Sequence, residues 1–389
     1  MSTCKGAWKL QDVRDQVLAG EWIQYNATAD PGTLWAWGQN CFGKLGNNTS
    51  DAYTHKSSPI QIPGNTWTCI AAGDYNSFAI KSDGTLWSWG RGTFYGSLGT
   101  NSTPYSKSSP VQIPGSSWND ISAGNFIAMA RKTDGTLWSW GLNNCGQLGN
   151  NTFDAGTCKS SPVQIPGTSW CDVNVGDKHT ISLKTDGTLW SWGQNGGKLG
   201  DDSVTPRSSP IQVPGTRWIE AGAGERGSIA RKTDGTLWTW GGYTYGLLGI
   251  GTVTSGSRSS PVQVPGTAWN QVSTSNSNNL ARKTDGTLWS WGNGAYGAVG
   301  DAPSGGGYNV NRCSPVQIPG TTWSDISSGR NIATARKTDG TLWAWGRNHC
   351  GQLGDGTATN RSSPVQVPGT SWNDIASGSG VAHVLARKA

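Results

Sequence analysis

The sequence predicts an all-β protein, a seven-bladed β-propeller of four-stranded antiparallel blades. Three observations predict it. A phrase of the type KTDGTLWSWG recurs seven times and carries two tryptophans in each copy. A proline-bracketed phrase of the type SSPVQIPG follows each copy, and a third tryptophan comes after it. The repeat length of about 50 residues is typical of propellers and solenoids, in which each unit buries its apolar face against a neighbour.

The repeat uses 21 of the 23 tryptophans, three in each of seven copies. The paired tryptophans are Trp35/Trp37, Trp87/Trp89, Trp138/Trp140, Trp190/Trp192, Trp238/Trp240, Trp289/Trp291 and Trp343/Trp345, and the third ones are Trp67, Trp118, Trp170, Trp218, Trp269, Trp323 and Trp372. One small sheet cannot bury such rings, whereas sheets arranged radially can press them against the next sheet. We therefore expect the tryptophans to form the core between blades.

The segment that starts at Trp118 predicts the strands of one blade. WNDISAG predicts a first strand, A, and FIAMARK a second strand, B. The Asp-Gly after strand B favours a tight hairpin, because a type I′ turn needs positive φ at both central residues. TLWSWG predicts strand C, with both tryptophans on one face of the pleat. PVQIP predicts an outer strand, D, because its bracketing prolines cannot donate to a neighbouring strand.

The two chain ends predict how the ring closes. The last copy ends at Ala389 after strands A and B, and the first copy begins near Asp30 with strands C and D only. The last blade is therefore predicted to take two strands from each terminus. A rival hypothesis uses WIQYNATA, from Trp22, as strand B of this blade. It is disfavoured because Pro31 interrupts the turn and VLARK matches the other copies better.

Three phrases resemble a known family: GDKHT at Gly176, the recurrent DGTLWSWG, and NNCGQLG at Asn143. They resemble the repeat of the regulator of chromosome condensation family, and the resemblance implies a seven-bladed propeller. Members of that family include a nucleotide exchange factor for a nuclear GTPase, a plant UV-B photoreceptor and a secreted β-lactamase inhibitor. The fold alone does not decide between such functions. Photoreception is disfavoured, because the starts of strand B here carry no tryptophan.

The first 29 residues lie outside the repeat. Leu10, Val13, Val17 and Leu18 recur at a helical spacing and predict a short helical N-terminal extension. The segment GAWKLQDVRDQVLAGEWIQ resembles short openings of tailed-phage virion proteins. This resemblance implies that residues 1–29 dock the propeller domain, residues 30–389, onto other virion proteins. The alternative is a capping helix that plugs the ring.

Composition excludes several classes of protein. The net charge of +6, from 30 basic and 24 acidic residues, is mild and not concentrated in a tail, so no nucleic-acid partner is expected. The sequence lacks a long apolar run, so no membrane insertion is expected. The eight cysteines show no zinc-type spacing, and whether Cys145 and Cys158 are bridged is left open. Since no catalytic motif occurs, we expect no enzyme, no cofactor and no metal site.

The copies differ most in the A–B and C–D loops, which leave an antiparallel blade at the same end. Aromatic residues collect there, and beside Gly, Ser and Asn they are typical of a binding surface. The candidate ligand-binding residues are Tyr53, Tyr75, Phe94, Phe126, Phe153, Tyr243 and Tyr308. Tyr95, Tyr245 and Tyr296 precede loop glycines and fit local packing equally well.

The opposite end of each blade repeats a lysine near the B–C hairpin. These lysines are Lys81, Lys132, Lys184, Lys232, Lys283, Lys337 and Lys388. All but the last have an aspartate two residues on, so we interpret the ring of lysines as solvated, mutually screened charge. An anionic partner is the alternative.

Together these features predict a non-enzymatic recognition or structural propeller of a larger particle, a phage virion protein of a tail or fibre. Its loop end would bind a host-surface glycan or protein, and its location would be the virion, extracellular after lysis. The alternative is a soluble, cytoplasmic, protein-binding propeller that resembles a GTPase exchange factor or a β-lactamase inhibitor.

Overall fold

The computed structural model describes residues 32–50, 54–92, 95–242, 244–251, 256–301, 310–378 and 383–389. Over these ranges the chain forms strands and four short 3-10 turns, and no helix there is long and apolar enough to cross a membrane. The strands are β1 Gly32–Gly38, β2 Lys56–Ala72, β3 Asn76–Lys81, β4 Leu86–Arg91, β5 Ser106–Ile113, β6 Trp118–Ala123, β7 Ile127–Lys132, β8 Leu137–Gly141, β9 Lys159–Gln164, β10 Trp170–Val175, β11 His179–Lys184, β12 Leu189–Gly193, β13 Arg207–Val213, β14 Trp218–Ala223, β15 Gly227–Lys232, β16 Leu237–Gly242, β17 Ser257–Val264, β18 Trp269–Thr274, β19 Asn278–Lys283, β20 Leu288–Gly292, β21 Arg312–Ile318, β22 Trp323–Gly329, β23 Ile332–Lys337, β24 Leu342–Gly346, β25 Arg361–Val367, β26 Trp372–Ser377 and β27 His383–Lys388. The 3-10 turns are Cys41–Gly43, Ala155–Thr157, Thr244–Gly246 and Ala295–Gly297. The helical extension predicted at residues 1–29 lies outside the described residues.

The strands form antiparallel blades of four strands each, A to D. Blades 2 to 6 are separate sheets, β6–β9, β10–β13, β14–β17, β18–β21 and β22–β25. Blades 7 and 1 are joined because β2 is continuous. Its residues 56–62 are strand D of blade 7, and its residues 67–72 are strand A of blade 1, which continues with β3, β4 and β5.

Blade 7 closes the ring with strands from both ends of the chain. β1 pairs with β27 from Thr33 opposite Lys388 to Gly38 opposite His383, and β27 pairs with β26. Both edges of β1 are occupied, by β27 and by β2, so strand B of this blade is β27 and not the segment at Trp22. The predicted closure, with two strands from each terminus, is confirmed.

The innermost strands of all the blades meet at the centre of the ring. A cavity of about 30 Å³ there is lined by Ala71, Ser122, Asn174, Ala223, Thr274, Ser328 and Ala376, one residue from each of seven blades. A space of this size holds about two water molecules. Serine hydroxyls also join neighbouring strands there, as where Ser122 Oγ accepts the N–H of Val175 at 3.0 Å. The centre is therefore too narrow for a ligand.

The second tryptophan of each pair locks its blade to the preceding one. Each of these rings is fully buried, and its Nε1 donates to a backbone carbonyl of the preceding C–D loop at 2.8–3.2 Å. The pairs are Trp37 to Gln352, Trp89 to Lys44, Trp140 to Ser97, Trp192 to Gln147, Trp240 to Lys198, Trp291 to Leu247 and Trp345 to Ala298. The third tryptophans are buried too, whereas the first of each pair is half-buried at the rim. The predicted core between blades is thus confirmed, and the first tryptophan of each pair packs against it.

We call the contact between the second tryptophan of each pair and the preceding C–D loop the tryptophan lock. This contact requires glycine in the G-x-L-G phrase of that loop. Gly354 has a φ of +69°, and a Cβ at its position would lie 2.7 Å from Trp37 Nε1. A side chain there would displace the ring that closes blade 7 against blade 6. Glycine is required for both reasons, the left-handed backbone and the close approach.

A buried asparagine orders several of the C–D loops. Asn143 Nδ2 donates to the hydroxyls of Thr152 and Thr157 at 2.8 Å, and its Oδ1 accepts the N–H of Leu148 at 3.0 Å. Asn40, Asn195 and Asn348 accept the equivalent leucine N–H in their own loops. These contacts hold the loops at one end of the ring. We call the end with the A–B and C–D loops the loop face, and the end with the B–C hairpins the hairpin face.

Candidate binding site on the loop face

Two of the predicted loop residues come together on the loop face. Tyr75, in the A–B loop of blade 1, stacks on Phe126, in the A–B loop of blade 2, with ring centroids 5.2 Å apart and planes 14° apart. Phe153 is 58% exposed, and within the described residues it stacks on no other ring. The remaining predicted residues, Tyr53, Phe94, Tyr243 and Tyr308, lie outside the described residues.

Three further aromatic rings extend this stack into a cluster. The ring centroid of Phe42 lies 6.1 Å from that of Tyr75 and 5.8 Å from that of Tyr105. The ring centroid of Tyr95 lies 5.5 Å from that of Phe126. Tyr105 is 70% exposed and Tyr95 is 37% exposed. Because the rings come from blades 7, 1 and 2, this surface exists only in the closed propeller.

Arg91 lies among these rings. Its guanidinium carbon is 4.6 Å from the ring centroid of Phe42, 5.2 Å from that of Tyr75 and 5.5 Å from that of Phe126. Its Nε is buried without a hydrogen-bond partner, and within the described residues the side chain forms no ion pair. A guanidinium carries five N–H donors. Those of Arg91 donate to no acceptor within the described residues. We call the group Phe42, Tyr75, Arg91, Tyr95, Tyr105 and Phe126 the Arg91 cluster.

The local backbone fixes the position of the cluster. Arg91 is the last residue of β4, and its N–H donates to the carbonyl of Tyr75 at 2.9 Å, which ties the strand end to the A–B loop. Phe42 occupies the 3-10 turn Cys41–Gly43 with a φ of +66°. This left-handed conformation is uncommon for an aromatic residue and costs about 1 kcal/mol or more. Tyr245 and Tyr296 have the same conformation in the equivalent turns of blades 4 and 5, with φ of +62° and +59°, so the turn of the repeat imposes it.

The charges beside the cluster are mainly positive. Lys44 is buried under the loop, and this burial lowers its pKa to about 8. Its ammonium donates to Gln39 Oε1 at 3.0 Å and to the carbonyl of Asp74 at 3.3 Å, and the Asp74 charge favours its protonated form. Lys107 is exposed on the adjacent strand, β5. Asp74 thus interacts with Lys44, whereas Arg91 has no carboxylate partner among the described residues.

Two other aromatic–arginine pairs on the loop face are smaller. The guanidinium carbon of Arg347 lies 5.0 Å from the Tyr296 ring, and that of Arg226 lies 6.0 Å from the Tyr245 ring. Arg347 also hydrogen-bonds His349, with Nη2 and Nε2 3.2 Å apart. Each of these arginines faces one ring, so the Arg91 cluster is the largest group of this kind within the described ranges.

Sequence reasoning missed Arg91, although a signal for it exists. The position directly after each W-x-W-G phrase holds Gln39, Arg91, Leu142, Gln194, Gly242, Asn293 and Arg347. This position varies between copies as strongly as the loops do. The internal comparison that selected Tyr75 and Phe126 could therefore have included it.

The lysines of the hairpin face make a contact that the sequence did not predict. Each Nζ lies 4.3–5.0 Å from the centroids of two indole rings of its own blade. Lys337, for example, lies over Trp323 and Trp343. Six of these lysines also help to lower the pKa of the aspartate two residues on, which fits the predicted screening. In addition, each lysine side chain folds back over the rings of strands A and C. A cation–π contact of this kind occurs in every blade.

The aspartates of the same hairpins stabilise the B–C turns. In six blades the carboxylate accepts the hydroxyl and the N–H of the threonine two residues on, as Asp134 does from Thr136 at 2.7 and 2.9 Å. The threonine hydrogen bonds, with a smaller contribution from Lys132, lower the pKa of Asp134. The hairpin face is therefore locally satisfied and nearly identical from blade to blade.

Titratable side chains inside the ring have structural roles. His179 Nε2 lies 2.9 Å from Ser228 Oγ, and His383 Nε2 lies 2.7 Å from Ser77 Oγ, each pair joining adjacent blades. Burial lowers the pKa of both histidines well below the ordinary value, so both are neutral at pH 7. Within the described residues, no group of three or more His, Cys, Asp or Glu side chains could hold a metal ion.

The bridge between Cys145 and Cys158 that the sequence left open is not formed, since both side chains are thiols. The loop that contains them is instead ordered by the Asn143 hydrogen bonds to Thr152 and Thr157.

Radial four-stranded blades, a tryptophan lock between them and variable loops on one face define a repeat propeller. The chain belongs to the family of RCC1-like domains. The model of that family matches residues 5–265, and models of the regulator of chromosome condensation (RCC1) repeat match residues 285–335, 339–385 and 323–352. The family and propeller fold implied by the sequence phrases are confirmed.

Similar curated proteins are diverse in function. The mitochondrial RCC1 domain-containing protein RUG3 of Arabidopsis thaliana is 31% identical over 195 residues, which are 46% of this chain and 42% of that protein. The ultraviolet-B receptor UVR8 of the same plant is 28% identical over 330 residues, 82% of this chain and 74% of the receptor. Human E3 ubiquitin-protein ligase HERC2 is 28% identical over 179 residues, but these are only 4% of its length. The chain thus spans less than half of RUG3 and a small part of HERC2.

Solved structures confirm the fold. Yeast RCC1 (Prp20), in a structure with Kap60, superposes with a TM-score of 0.81 at 18% identity, over 92% of this chain and 89% of that one. Human WBSCR16 also gives a TM-score of 0.81, at 20% identity, over 92% of this chain and 98% of that one. At these identities the likeness concerns the fold alone.

Proposed function

We propose that this chain is a non-enzymatic, protein-binding propeller whose docking site is the Arg91 cluster. The observation that carries the proposal is a guanidinium that faces three aromatic rings and has no polar partner within the described residues. Tyrosine and arginine are enriched at the positions of protein interfaces where truncation costs the most binding energy. The exposed rings of Tyr105 and Tyr95 would add contact area at a low cost in side-chain entropy.

Two other surfaces fit a specific partner less well. The ring centre encloses about 30 Å³, which is far below the volume of a small-molecule site. The hairpin face presents the same lysine–tryptophan contact in each blade, and such a surface offers a partner seven equivalent orientations. A single partner with a single orientation needs a surface that breaks the sevenfold repeat, and the Arg91 cluster does so.

Propellers of similar fold support a protein partner. Yeast RCC1 (Prp20) was solved bound to Kap60, and Prp20p is described with its binding to Gsp1p and histones. The partners of those proteins are not transferred to this chain, because the identities are 18% and 19%. What supports the proposal is that a protein of the same fold binds other proteins.

The virion assignment remains a prediction from the N-terminal segment, residues 1–29, which lies outside the described residues. The similar curated proteins named above come from a plant and from humans. No contact within the described part of the chain favours another virion protein or a host-surface glycan as the partner. We therefore favour the alternative of a protein-binding propeller with a cellular partner.

The test compares two pairs of aromatic truncations on the same face. A partner recovered with the wild-type chain should bind the Tyr75→Ala/Phe126→Ala variant at least about tenfold more weakly, because the stacked pair is lost from the cluster. The matched control is Phe153→Ala, since Phe153 is an exposed loop-face ring outside the cluster. Binding that survives the double variant and is lost in the control would move the docking site to blade 2's C–D loop.

A further inference from the structure

The Arg91 cluster has an asymmetry between its apolar and its polar contacts. Its guanidinium faces three rings within 5.5 Å, yet its Nε is buried without a hydrogen-bond partner. Elsewhere in the described structure, several arginines beside loops reach a carboxylate. Arg207 binds Asp201 at 3.1 Å and Arg361 binds Asp355 at 3.0 Å. Arg91 is therefore an arginine held in place without the anion that such arginines bind here.

The neighbouring groups do not provide that anion. The carboxylate of Asp74 interacts with the buried ammonium of Lys44. Lys107 is exposed and directly follows Ser106, the residue that pairs with Arg91 across the sheet. The local balance within the described residues is thus positive. A negative group from a partner would find an electrostatically favourable position at the guanidinium.

The rings prepare Arg91 for one particular geometry. Contacts with aromatic faces leave the N–H edges of a guanidinium for hydrogen bonds. Because Nε of Arg91 is buried, the edge that remains for a partner is the one between the two Nη nitrogens. That edge matches the two oxygens of a carboxylate in a bidentate pair. Because Phe42, Tyr75 and Phe126 already hold the side chain, little side-chain entropy remains to be lost on binding.

We infer that the Arg91 cluster binds a partner through an Asp or Glu side chain that lies next to an apolar residue. The carboxylate pairs with the Arg91 guanidinium, and the apolar neighbour packs on the exposed rings of Tyr105 and Tyr95. This inference rests on the proposed function, because it specifies the chemistry of the partner at the same docking site. In this inference Arg91 makes the site specific for a carboxylate, and the rings supply the area that contacts the apolar neighbour.

The test selects peptides of about twelve random residues on the immobilised full chain. Parallel selections use Arg91→Gln, Tyr75→Ala/Phe126→Ala and the control Phe153→Ala. Arg91→Gln removes no side-chain hydrogen bond or ion pair of the described structure but does remove the cation from three rings, so its melting temperature should fall only slightly. We expect the wild type and Phe153→Ala to enrich peptides with Asp or Glu next to an aromatic or aliphatic residue, and Arg91→Gln to lose the acidic residue from its enriched set.

One enriched peptide then enters a double-mutant cycle. Replacing its acidic residue by the amide should weaken binding to the wild type at least about tenfold and change binding to Arg91→Gln little. A phosphoserine at the same position that binds tenfold more tightly than Glu would overturn the assignment to a carboxylate in favour of a phosphate.

The failures of the two proposals can be told apart. Enriched peptides that are apolar, indifferent to Arg91→Gln and lost on Tyr75→Ala/Phe126→Ala would refute the carboxylate and leave the docking site in place. Peptides that bind the wild type and the Tyr75→Ala/Phe126→Ala variant equally would refute the docking site itself.

Discussion

The loop face and the hairpin face of this ring are built from the same seven repeats, yet they differ in how much the residues vary from one repeat to the next. On the hairpin face, every blade repeats one lysine over two tryptophans. On the loop face, the position after the W-x-W-G phrase alone holds five residue types. The Arg91 cluster arises there from three blades.

The difference shows where stability and recognition are separated. The tryptophan lock and the loop asparagines determine the position of each loop, so residues on top of a loop can differ without moving it. The hairpin face is connected to the lock indirectly. Its lysines and threonines contact the first and third tryptophans, as Lys337 and Thr341 do at Trp343, and the third tryptophan packs on the second, with ring centroids of Trp323 and Trp345 6.4 Å apart. We expect changes to the lock to affect folding and changes to the loop face to affect binding.

Removing the closing strand should break both faces at once and have the largest effect. Deleting residues 383–389 takes strand B from blade 7 and leaves one edge of β1 and one edge of β26 unpaired. The unpaired edges should drive aggregation, which size-exclusion chromatography and a melting curve would detect. A truncated chain that stays monomeric with an unchanged melting temperature would contradict the closure.

A methyl group added beside the tryptophan lock should destabilise the ring, but less than the deletion of the closing strand does. Gly354→Ala places a Cβ 2.7 Å from Trp37 Nε1 on a backbone with φ of +69°, so the free energy of unfolding should fall by about 2 kcal/mol or more. Gly156→Ala is the control, because a Cβ there meets nothing within 4 Å and should change stability by less than about 0.5 kcal/mol. Equal effects of the two in chemical denaturation would argue against the lock.

Acid should weaken the lock through the buried histidines. Burial lowers the pKa of His383 well below its ordinary value of 6.5. Because the depressed pKa belongs to the folded state, the stabilisation is fully present above pH 6.5 and is lost as the pH falls from there through the folded pKa. His383→Asn, which copies Asn76 and Asn278 at the same position in blades 1 and 5, should reduce the loss of stability between pH 7 and pH 5. Denaturation midpoints across this range measure it; an unchanged slope would show that His383 does not contribute.

Neutralising one hairpin lysine should have the smallest effect. Lys337→Met keeps most of the side-chain stem but removes the cation over Trp323 and Trp343, so it should cost about 0.5–1 kcal/mol. Lys107→Met is the control on an exposed lysine without such a ring contact within the described residues. If the two variants melt at the same temperature, the ring contacts of the hairpin lysines add nothing to the stability, and screened charge alone describes these lysines.

Most of the fold was predictable because the repeat marks its own strands. The Asp-Gly turns locate the hairpins, the prolines locate strand D, and the incomplete first and last copies predict the closure that β1 and β27 form. The half-buried first tryptophans were not predictable, since strand alternation alone does not say how far a ring lies from the rim.

The site was predictable only in part. Variation among copies found Tyr75 and Phe126, but their contact with Phe42 and Arg91 depends on how blades 7, 1 and 2 are placed around the ring. The lysine contacts depend on the path of a long side chain back over strands A and C. Neither the contacts between blades in the Arg91 cluster nor the lysine–tryptophan contacts can be inferred from the spacing of residues within one repeat.

The most direct test of the central claim places a photo-crosslinking amino acid at one position on each face. Position 105 carries a ring of the Arg91 cluster that is 70% exposed, and position 185 is an exposed threonine of the blade 3 hairpin. Irradiation in the presence of the partner should yield a crosslinked product from position 105 and none from position 185. A product from position 185 alone would place recognition on the hairpin face and contradict the division of roles between the two faces.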